Sequence, residues 1–195
     1  STTVLVQTLR ALGADVSYYI PIRGKESHGV HIESLKPILD GGVTLIVTCD
    51  TGITAHDAID YANSRGVDII VTDHHDLGET LPNAKAIINP KLLPENHPLK
   101  YLAGVGVAYK LAEALLDDRP RTTDHEAAPS TVHRLRSEDL LDLVALGLIA
   151  DVALLKGKTR SLEQKGIQAL RKTNRLGLKV IAELAGAALD TATEE

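Results

Sequence analysis

Two groups of polar residues follow predicted strands, at points where metal-binding side chains are common. Asp50 lies two residues after the apolar residues 43–48, and an Asp-His-His triplet at residues 73–75 comes directly after the apolar residues 67–72. A carboxylate and an imidazole offered together suit Mn²⁺, whereas carboxylates alone favour Mg²⁺ and cysteine-rich sites favour zinc. The sequence therefore predicts a divalent-metal site that contains Asp50 and a histidine of the triplet.

Asp151 is a further candidate ligand. It interrupts the apolar residues 148–155, and an acid in such surroundings is rarely buried without a charged partner. Taken singly, each candidate also has an ordinary structural explanation: Asp50 suits a turn or a helix N-cap, the two histidines suit a loop, and Asp151 suits a helix cap. Their combined occurrence favours the metal site over these explanations.

The elements that must position these residues alternate between helix and strand, as judged from helical spacing and short β-branched runs. The predicted helices are residues 1–13, 32–39, 55–62, 104–116, 137–149, 159–172 and 178–185, and the predicted strands are residues 15–20, 43–48, 67–72 and 86–89. This order predicts an α/β fold in which a mostly parallel sheet is flanked by helices, with a helical C-terminal portion. Because parallel strands end at the same rim of a sheet, Asp50 and His74 are expected to converge.

Composition and segment boundaries narrow the class of protein. Residues 1–116 are predicted to form the α/β core, residues 117–136 a polar surface loop, and residues 137–195 a helical segment that completes the domain.

The chain has no Phe or Trp, so platforms of aromatic rings for stacking bases are not expected. No apolar run approaches the roughly 20 residues of a membrane helix. The single cysteine, Cys49, excludes an internal disulfide and suits a reducing cytosol, so a cytoplasmic location is expected.

Charge is distributed unevenly along the chain. Between Lys156 and Lys179, eight basic residues stand against one acid, Glu163, which gives this segment a formal charge of +7 although the whole chain carries −5. Such a segment is either a solvated helical face or a strip that binds phosphates. On the second interpretation, Arg171, Lys172 and Arg175 are candidate contacts to a nucleic-acid backbone.

At the polar strand ends the sequence resembles a known superfamily. Residues 71–75, Val-Thr-Asp-His-His, and residues 49–52, Cys-Asp-Thr-Gly, resemble two motifs of the DHH phosphoesterases. Residues 20–23, 103–111 and 146–155 narrow the resemblance to the RecJ-like single-stranded-DNA-specific exonucleases within that superfamily. The similarity covers most of the chain outside the polar loop, and this order and spacing of motifs is highly specific.

The resemblance implies roles for the candidate residues. Asp50, His74 and Asp151 match metal-binding positions, and His75 matches the histidine that faces the scissile phosphate. Asp73 matches a residue that orients a neighbouring histidine. These roles would make His75 and Asp73 catalytic and the other three residues metal ligands.

Three further residues are candidate substrate contacts. Arg23 matches a basic residue that holds a substrate phosphate, although residues 27–29, Ser-His-Gly, replace the Gly-Tyr-Gly of relatives. Gly104 and Gly106 open a predicted helix, where their amides would face a phosphate or their small size would permit close packing. Close packing is the favoured interpretation of these two glycines.

The resemblance also implies a reaction. It implies 5′-to-3′ exonucleolytic hydrolysis of single-stranded DNA in repair and recombination, with two Mn²⁺ or Mg²⁺ ions in the complete protein and with helicases or single-strand-binding proteins as candidate partners. The alternatives are a small-nucleotide phosphodiesterase or pyrophosphatase of the same superfamily, or a catalytically silent replication scaffold. A scaffold has no physical need for clustered metal ligands, which favours an enzyme.

Two family features are not found in this sequence. The family begins with a strand and an Asp-x-Asp-Gly-type motif that supplies further metal carboxylates, and it continues into a glycine-rich DHH-associated domain. The chain is therefore expected to be a fragment of a longer protein. On its own it is expected to fold marginally, to bind metal weakly and to be nearly inactive.

Overall fold

The computed structural model describes residues 1–22, 24–117 and 135–193. Within these ranges, seven α-helices surround a three-stranded parallel sheet of order β1-β2-β3. The elements are α1 Thr2–Ala11, α2 Ile32–Asp40, β1 Leu45–Val47, α3 His56–Ser64, β2 Asp68–Thr72, β3 Ala86–Ile88, α4 Gly104–Asp117, α5 Leu141–Ala150, α6 Gly157–Leu170 and α7 Leu176–Leu184. This architecture confirms the predicted α/β fold class.

The sheet is covered on both faces because its side chains alternate. On one face, Ile69 and Val71 of β2 are fully buried in a cluster with residues of α2 and α3. On the other face, Val47 and Ile88 pack against a larger cluster built mainly from α1, α4 and α5. Burying each such aliphatic side chain contributes roughly 1.5–3 kcal/mol, so the two clusters hold the strands between two layers of helices.

Small residues allow the helices of the larger cluster to approach closely. A β-carbon at Gly147 in α5 would lie 2.8 Å from Cβ of Val105 in α4, and one at Gly166 in α6 would lie 2.6 Å from the carbonyl oxygen of Leu141 in α5. Real side chains do not tolerate such distances, so these helix contacts require glycine. Gly166 contacts the start of α5, and only residues 151–156 separate the end of α5 from the start of α6, so the two helices run antiparallel.

The prediction of a strand at residues 15–20 was wrong. The segment is not a strand, and Tyr18 and Ile20 in it are 63% and 60% exposed. A strand exists only where a neighbour supplies hydrogen bonds, and no described strand pairs with this segment. The alternation of residue types contains no information about such a partner.

The other boundaries differ from the prediction by a few residues. The strand predicted at residues 43–48 is confined to Leu45–Val47, and the helix predicted at residues 137–149 begins as a 3₁₀ turn, Ser137–Leu140, before α5. Most of the predicted surface loop at residues 117–136 lies outside the described residues; of its ends, Asp117 is the last residue of α4. No described helix is both long and apolar enough to cross a membrane.

Candidate metal centre

Hydrogen bonds extend the parallel ladder past the ends of the strands and bring the polar residues to one rim. The backbone N–H of Asp50, beyond β1, donates to the carbonyl of Thr72 at 2.8 Å, and the N–H of Asp73, beyond β2, donates to the carbonyl of Ile88 at 3.1 Å. Each residue is therefore held to the neighbouring strand. The sequence-predicted meeting of Asp50 with the Asp-His-His triplet follows from this arrangement.

Asp50 occupies an unusual backbone conformation. Its φ is +65°, in the left-handed region that few residues other than glycine adopt. Gly52 follows with φ +108°, and a β-carbon there would lie 3.1 Å from the hydroxyl oxygen of Thr48. The turn after β1 is thus tight and depends on Gly52. Backbone strain of this kind concentrates at functional sites, because the surrounding structure must hold it in place.

The carboxylate of Asp73 organises the triplet from within the core. It is 1% exposed, and its Oδ1 accepts hydrogen bonds from the backbone N–H of His74 at 2.7 Å and of His75 at 3.2 Å. The same oxygen lies 2.7 Å from Nδ1 of His75, and Oδ2 accepts from the N–H of Ile53 at 3.0 Å. Because a carboxylate only accepts, Nδ1 of His75 carries the proton, and Nε2 is left as the outward ring nitrogen.

Asp50, His74 and Asp151 converge on one point. Nε2 of His74 lies 3.0 Å from Oδ1 of Asp50 and 3.8 Å from Oδ2 of Asp151. The adjacent Asp50 carboxylate raises the pKa of His74 against the opposing effect of burial, and the His74 side chain lowers the pKa of Asp50. The two carboxylates therefore favour positive charge between them, as a cation site requires.

Asp151 reaches this point from a different part of the chain. It follows the last residue of α5, and the next residue, Val152, has φ +50° and is 89% exposed. A β-branched residue in the left-handed region is a genuine outlier. The end of α5 is thus strained at the position where it delivers a carboxylate to the rim of the sheet.

The donor set fits a divalent cation. Oδ1 of Asp50 is buried without a hydrogen-bond partner, since its approach to His74 is close but lacks hydrogen-bonding geometry. A buried carboxylate oxygen left in this way is costly, and a bound cation would satisfy it. One ligand atom from each of Asp50, His74 and His75 lies within 4.8 Å of the others. Carboxylate oxygens combined with imidazole nitrogens suit Mn²⁺.

The two predicted glycine contacts are both sites of close packing. Gly104, the first residue of α4, lies against the carboxylate of Asp50, and a β-carbon at Gly106 would lie 2.7 Å from Cδ2 of Leu102. Both glycines are buried. The small size of Gly104 lets α4 approach Asp50, and that of Gly106 makes room for Leu102. A phosphate contact of either glycine stays a prediction. Arg23, the third predicted substrate contact, lies outside the described residues.

The three predicted backbone contacts on the basic segment differ in their surroundings. Arg171 and Lys172 are exposed at the C-terminal end of α6, and Nε of Arg171 donates to the carbonyl of Ala192. Arg175 instead points into the protein, where its Nε donates to both carboxylate oxygens of Asp142 at 3.0 and 2.8 Å. This ion pair weighs against the predicted phosphate contact of Arg175, because the guanidinium is already engaged by a carboxylate.

Two further groups complete the surroundings of Arg175. Its Nη1 donates to Oε1 of Gln7 in α1, and its Nη2 donates to the carbonyl of Asp139. The guanidinium therefore joins α1, the start of α5 and the segment before α7. Charge counting along the sequence could not distinguish this internal arginine from the exposed ones.

Asn89 is a residue of the site that the sequence did not reveal. Its side-chain Nδ2 donates to the carbonyl of His75 at 3.0 Å, and its Oδ1 accepts from the backbone N–H of Lys91 at 2.9 Å. The residue is 5% exposed. Asn89 thus fixes the end of the triplet to the end of β3. Its position directly after a strand, before Pro90, is the signal that would have identified it.

Comparisons with known proteins identify the family of this chain. The model of the DHH family, N-terminal domain, matches residues 1–148. The chain is 42% identical over 195 residues to the single-stranded-DNA-specific exonuclease RecJ of Bacillus subtilis, which covers the whole chain and 23% of that protein. It is 40% identical over 190 residues to the protein of the same name from Escherichia coli, covering 95% of the chain and 32% of that protein.

Solved structures give the same result. A crystal structure of exonuclease RecJ bound to manganese matches with a TM-score of 0.79 and 34% identity, over 96% of the chain and 44% of that protein. RecJ from Thermus thermophilus in complex with Mn²⁺ matches with a TM-score of 0.73 and 33% identity, over 96% of the chain and 25% of that protein. The chain thus spans about a quarter to a third of the length of the curated relatives described above.

Proposed function

The chain belongs to the DHH family, and on this premise we propose that it is the metal-binding part of a phosphodiesterase that hydrolyses single-stranded DNA. The observation that carries the proposal is the convergence of Asp50, His74 and Asp151, with His75 beside them, at one rim of the sheet. The two relatives described above, which match 95% or more of this chain, are single-stranded-DNA-specific exonucleases, and this supports DNA as the substrate.

Three of the site residues are candidate metal ligands. Asp50, His74 and Asp151 would hold a divalent cation, with Mn²⁺ favoured by the ligand set and Mg²⁺ as the alternative. When bound, such ions activate water and stabilise charge on the attacking and leaving oxygens of a phosphodiester, for which two ions are expected in the complete protein. Further carboxylates beyond these residues would be needed for the second ion.

His75 and Asp73 supply the remaining chemistry. With Nδ1 held by Asp73, His75 presents Nε2 at the edge of the site, and the imidazole side chain is 61% exposed. In its protonated form it donates a hydrogen bond to a phosphate oxygen, where negative charge increases in the transition state. Asp73 keeps the ring in this orientation and is shielded from water by its own burial.

The proposal extends to direction and setting. We propose 5′-to-3′ exonucleolytic cleavage during DNA repair and recombination, in the cytoplasm and together with a helicase or a single-strand-binding protein. The RecJ-like motifs support the direction, and the lone Cys49 suits a reducing compartment. The second candidate function is hydrolysis of small nucleotides, because the same ligand set would act on any phosphodiester or pyrophosphate.

One experiment tests the proposal and separates the two candidates. Calorimetric titration of the complete protein with Mn²⁺ is combined with cleavage assays on 5′-phosphorylated single strands, on the matching duplex and on a dinucleotide. We expect Mn²⁺ binding and faster cleavage of the single strand than of the other two. Cleavage of the dinucleotide alone would favour the small-nucleotide enzyme. The absence of both metal binding and cleavage would exclude a catalytic function and favour a scaffold.

A further inference from the structure

Exposed cations without an acidic partner are concentrated on one helix. Elsewhere in the described part of the chain, most lysines and arginines lie within 4.0 Å of a carboxylate. These paired residues are Lys36, Arg65, Lys85, Lys91, Lys100, Lys110, Arg136 and Arg175. By contrast, the five exposed cations on α6 and just beyond its end form no ion pair with a described carboxylate. We name these residues the α6 basic face: Lys158, Arg160, Lys165, Arg171 and Lys172.

The α6 basic face has no acid within it. The one acidic residue of α6, Glu163, is 1% exposed and faces the core, so the outer surface of the helix carries positive charge alone. The first turn of α6 contains no acid either, although it contains Lys158, and a cation at that end of a helix opposes the helix dipole. This arrangement is unfavourable for the isolated helix and becomes favourable when a polyanion covers it.

The α6 basic face begins close to the candidate metal centre. The two helices α5 and α6 run antiparallel, since Gly166 contacts the start of α5 and only residues 151–156 separate the end of α5 from the start of α6. The beginning of α6 therefore lies near the end of α5, where Asp151 extends to His74. Lys158 and Lys165 lie seven residues apart on one side of α6, about 10 Å apart along its axis, and Lys172 lies two residues beyond its end. The lysines thus form a row that starts near the centre and leads away from it.

We propose that the α6 basic face binds consecutive backbone phosphates of a single strand whose end lies at the metal centre, with Lys158 nearest that end and Lys172 farthest from it. This inference rests on the proposed function. The α6 basic face would bind DNA irrespective of base sequence, because lysine and arginine contacts to phosphates depend on charge and do not involve the bases. Arg175 has no part in it, since its guanidinium is held by Asp142.

The test compares two triple variants of equal charge. Lys158→Gln with Lys165→Gln and Lys172→Gln removes three cations of the α6 basic face, and Lys36→Gln with Lys85→Gln and Lys91→Gln removes three paired cations elsewhere. Binding of labelled oligothymidylates is followed by fluorescence anisotropy at several salt concentrations in EDTA, so that no cleavage occurs. Each lost phosphate contact lowers the salt slope by about 0.7, so we expect a decrease of about 2 for the first variant and little change for the control. Thermal melting verifies that both variants are folded.

Strand length adds a second criterion. On a strand too short to reach the far end of α6, Lys172→Gln is expected to leave the affinity unchanged. On a longer strand, Lys172→Gln is expected to weaken binding. Lys158→Gln is expected to weaken binding to short and long strands alike. An unchanged salt slope in the first triple variant would overturn the inference and leave α6 as a solvated surface. Equal weakening toward duplex DNA, or weakening toward polyglutamate alone, would also overturn it in favour of another partner.

The failure of this inference differs from failure of the proposed function. If the wild-type protein binds Mn²⁺ and cleaves single strands but the triple variant keeps its salt slope, only the role of α6 is wrong. If the complete wild-type protein neither binds Mn²⁺ nor cleaves, the proposed function is wrong, whatever the salt slopes show.

Discussion

Gly104 packs directly against the carboxylate of Asp50, so closely that a β-carbon at this position would overlap Oδ1, Cγ and Cβ of the aspartate. The first residue of α4 and the turn after β1 are thus in contact at the candidate metal centre. Since Asp50 also has a strained backbone, its side chain has little freedom to move aside. The glycine is therefore part of what holds the ligand in place.

We expect Gly104→Ala to weaken Mn²⁺ binding by about 10- to 100-fold, because displacing the support of a metal ligand costs about that much affinity. Titration calorimetry measures the change. The matched control is Gly177→Ala in α7, where an added β-carbon meets nothing within 4 Å. That control should raise stability by about 0.5–1 kcal/mol through helix propensity alone. Equal Mn²⁺ affinity in the two variants would contradict the supporting role of Gly104.

Direct removal of the ligands should have a larger effect. In the complete protein, Asp50→Asn and His74→Ala are each expected to reduce cleavage of single strands by orders of magnitude, since the cation loses a charged or nitrogen ligand. Asp60→Asn, at an exposed position of α3, controls for the loss of one surface carboxylate. Cleavage rates and Mn²⁺ titrations are measured together. Activity like that of the wild type in either ligand variant would rule out the metal site described above.

Asn89 offers a test of positioning rather than ligation. We expect both Asn89→Ala and Asn89→Asp to lower kcat roughly 10- to 100-fold with little change in KM, because neither variant donates to the carbonyl of His75. The aspartate variant still offers an acceptor to the N–H of Lys91 and should keep more stability. If Asn89→Asp restores kcat, the contact with His75 is not what matters.

The Asp142–Arg175 pair should prove to be structural. The two side chains are 9% and 23% exposed, and removing one partner of such a pair costs about 3–5 kcal/mol of unfolding free energy. Arg175→Gln and Asp142→Asn are therefore expected to destabilise the protein strongly in urea denaturation, and the double variant by less than their sum. The exposed pair Arg65–Asp40 serves as the control, with an expected cost of about 0–1 kcal/mol.

The salt dependence of DNA binding distinguishes a structural role of Arg175 from a contact with a DNA phosphate. We expect Arg175→Gln to leave the salt slope unchanged under conditions where the variant is folded. A decrease as large as that of Lys172→Gln would restore the sequence interpretation of Arg175 as a DNA contact.

Much of the fold and of the site could be predicted from the sequence, because strand ends were recognisable. Apolar runs closed by polar residues identified two strands of a parallel sheet, and parallel strands end on the same side. That rule alone predicted that Asp50 lies near His74, and in the structure Oδ1 of Asp50 lies 3.0 Å from Nε2 of His74. The segment at residues 15–20 shows the limit of the rule: alternation predicts an extended backbone, but a strand needs a partner that periodicity does not specify.

By itself, the sequence determined the order of elements and the residue types at the rim, since backbone preferences and side-chain periodicity act locally. Only the tertiary structure decided which residues far apart in the chain meet. Asp151 reaches His74 because Gly147 and Gly166 let three helices pack closely. Arg175 is internal and Lys172 exposed, although both are basic residues of the same segment, because the neighbour that neutralises a charge is chosen by packing and not by position along the chain.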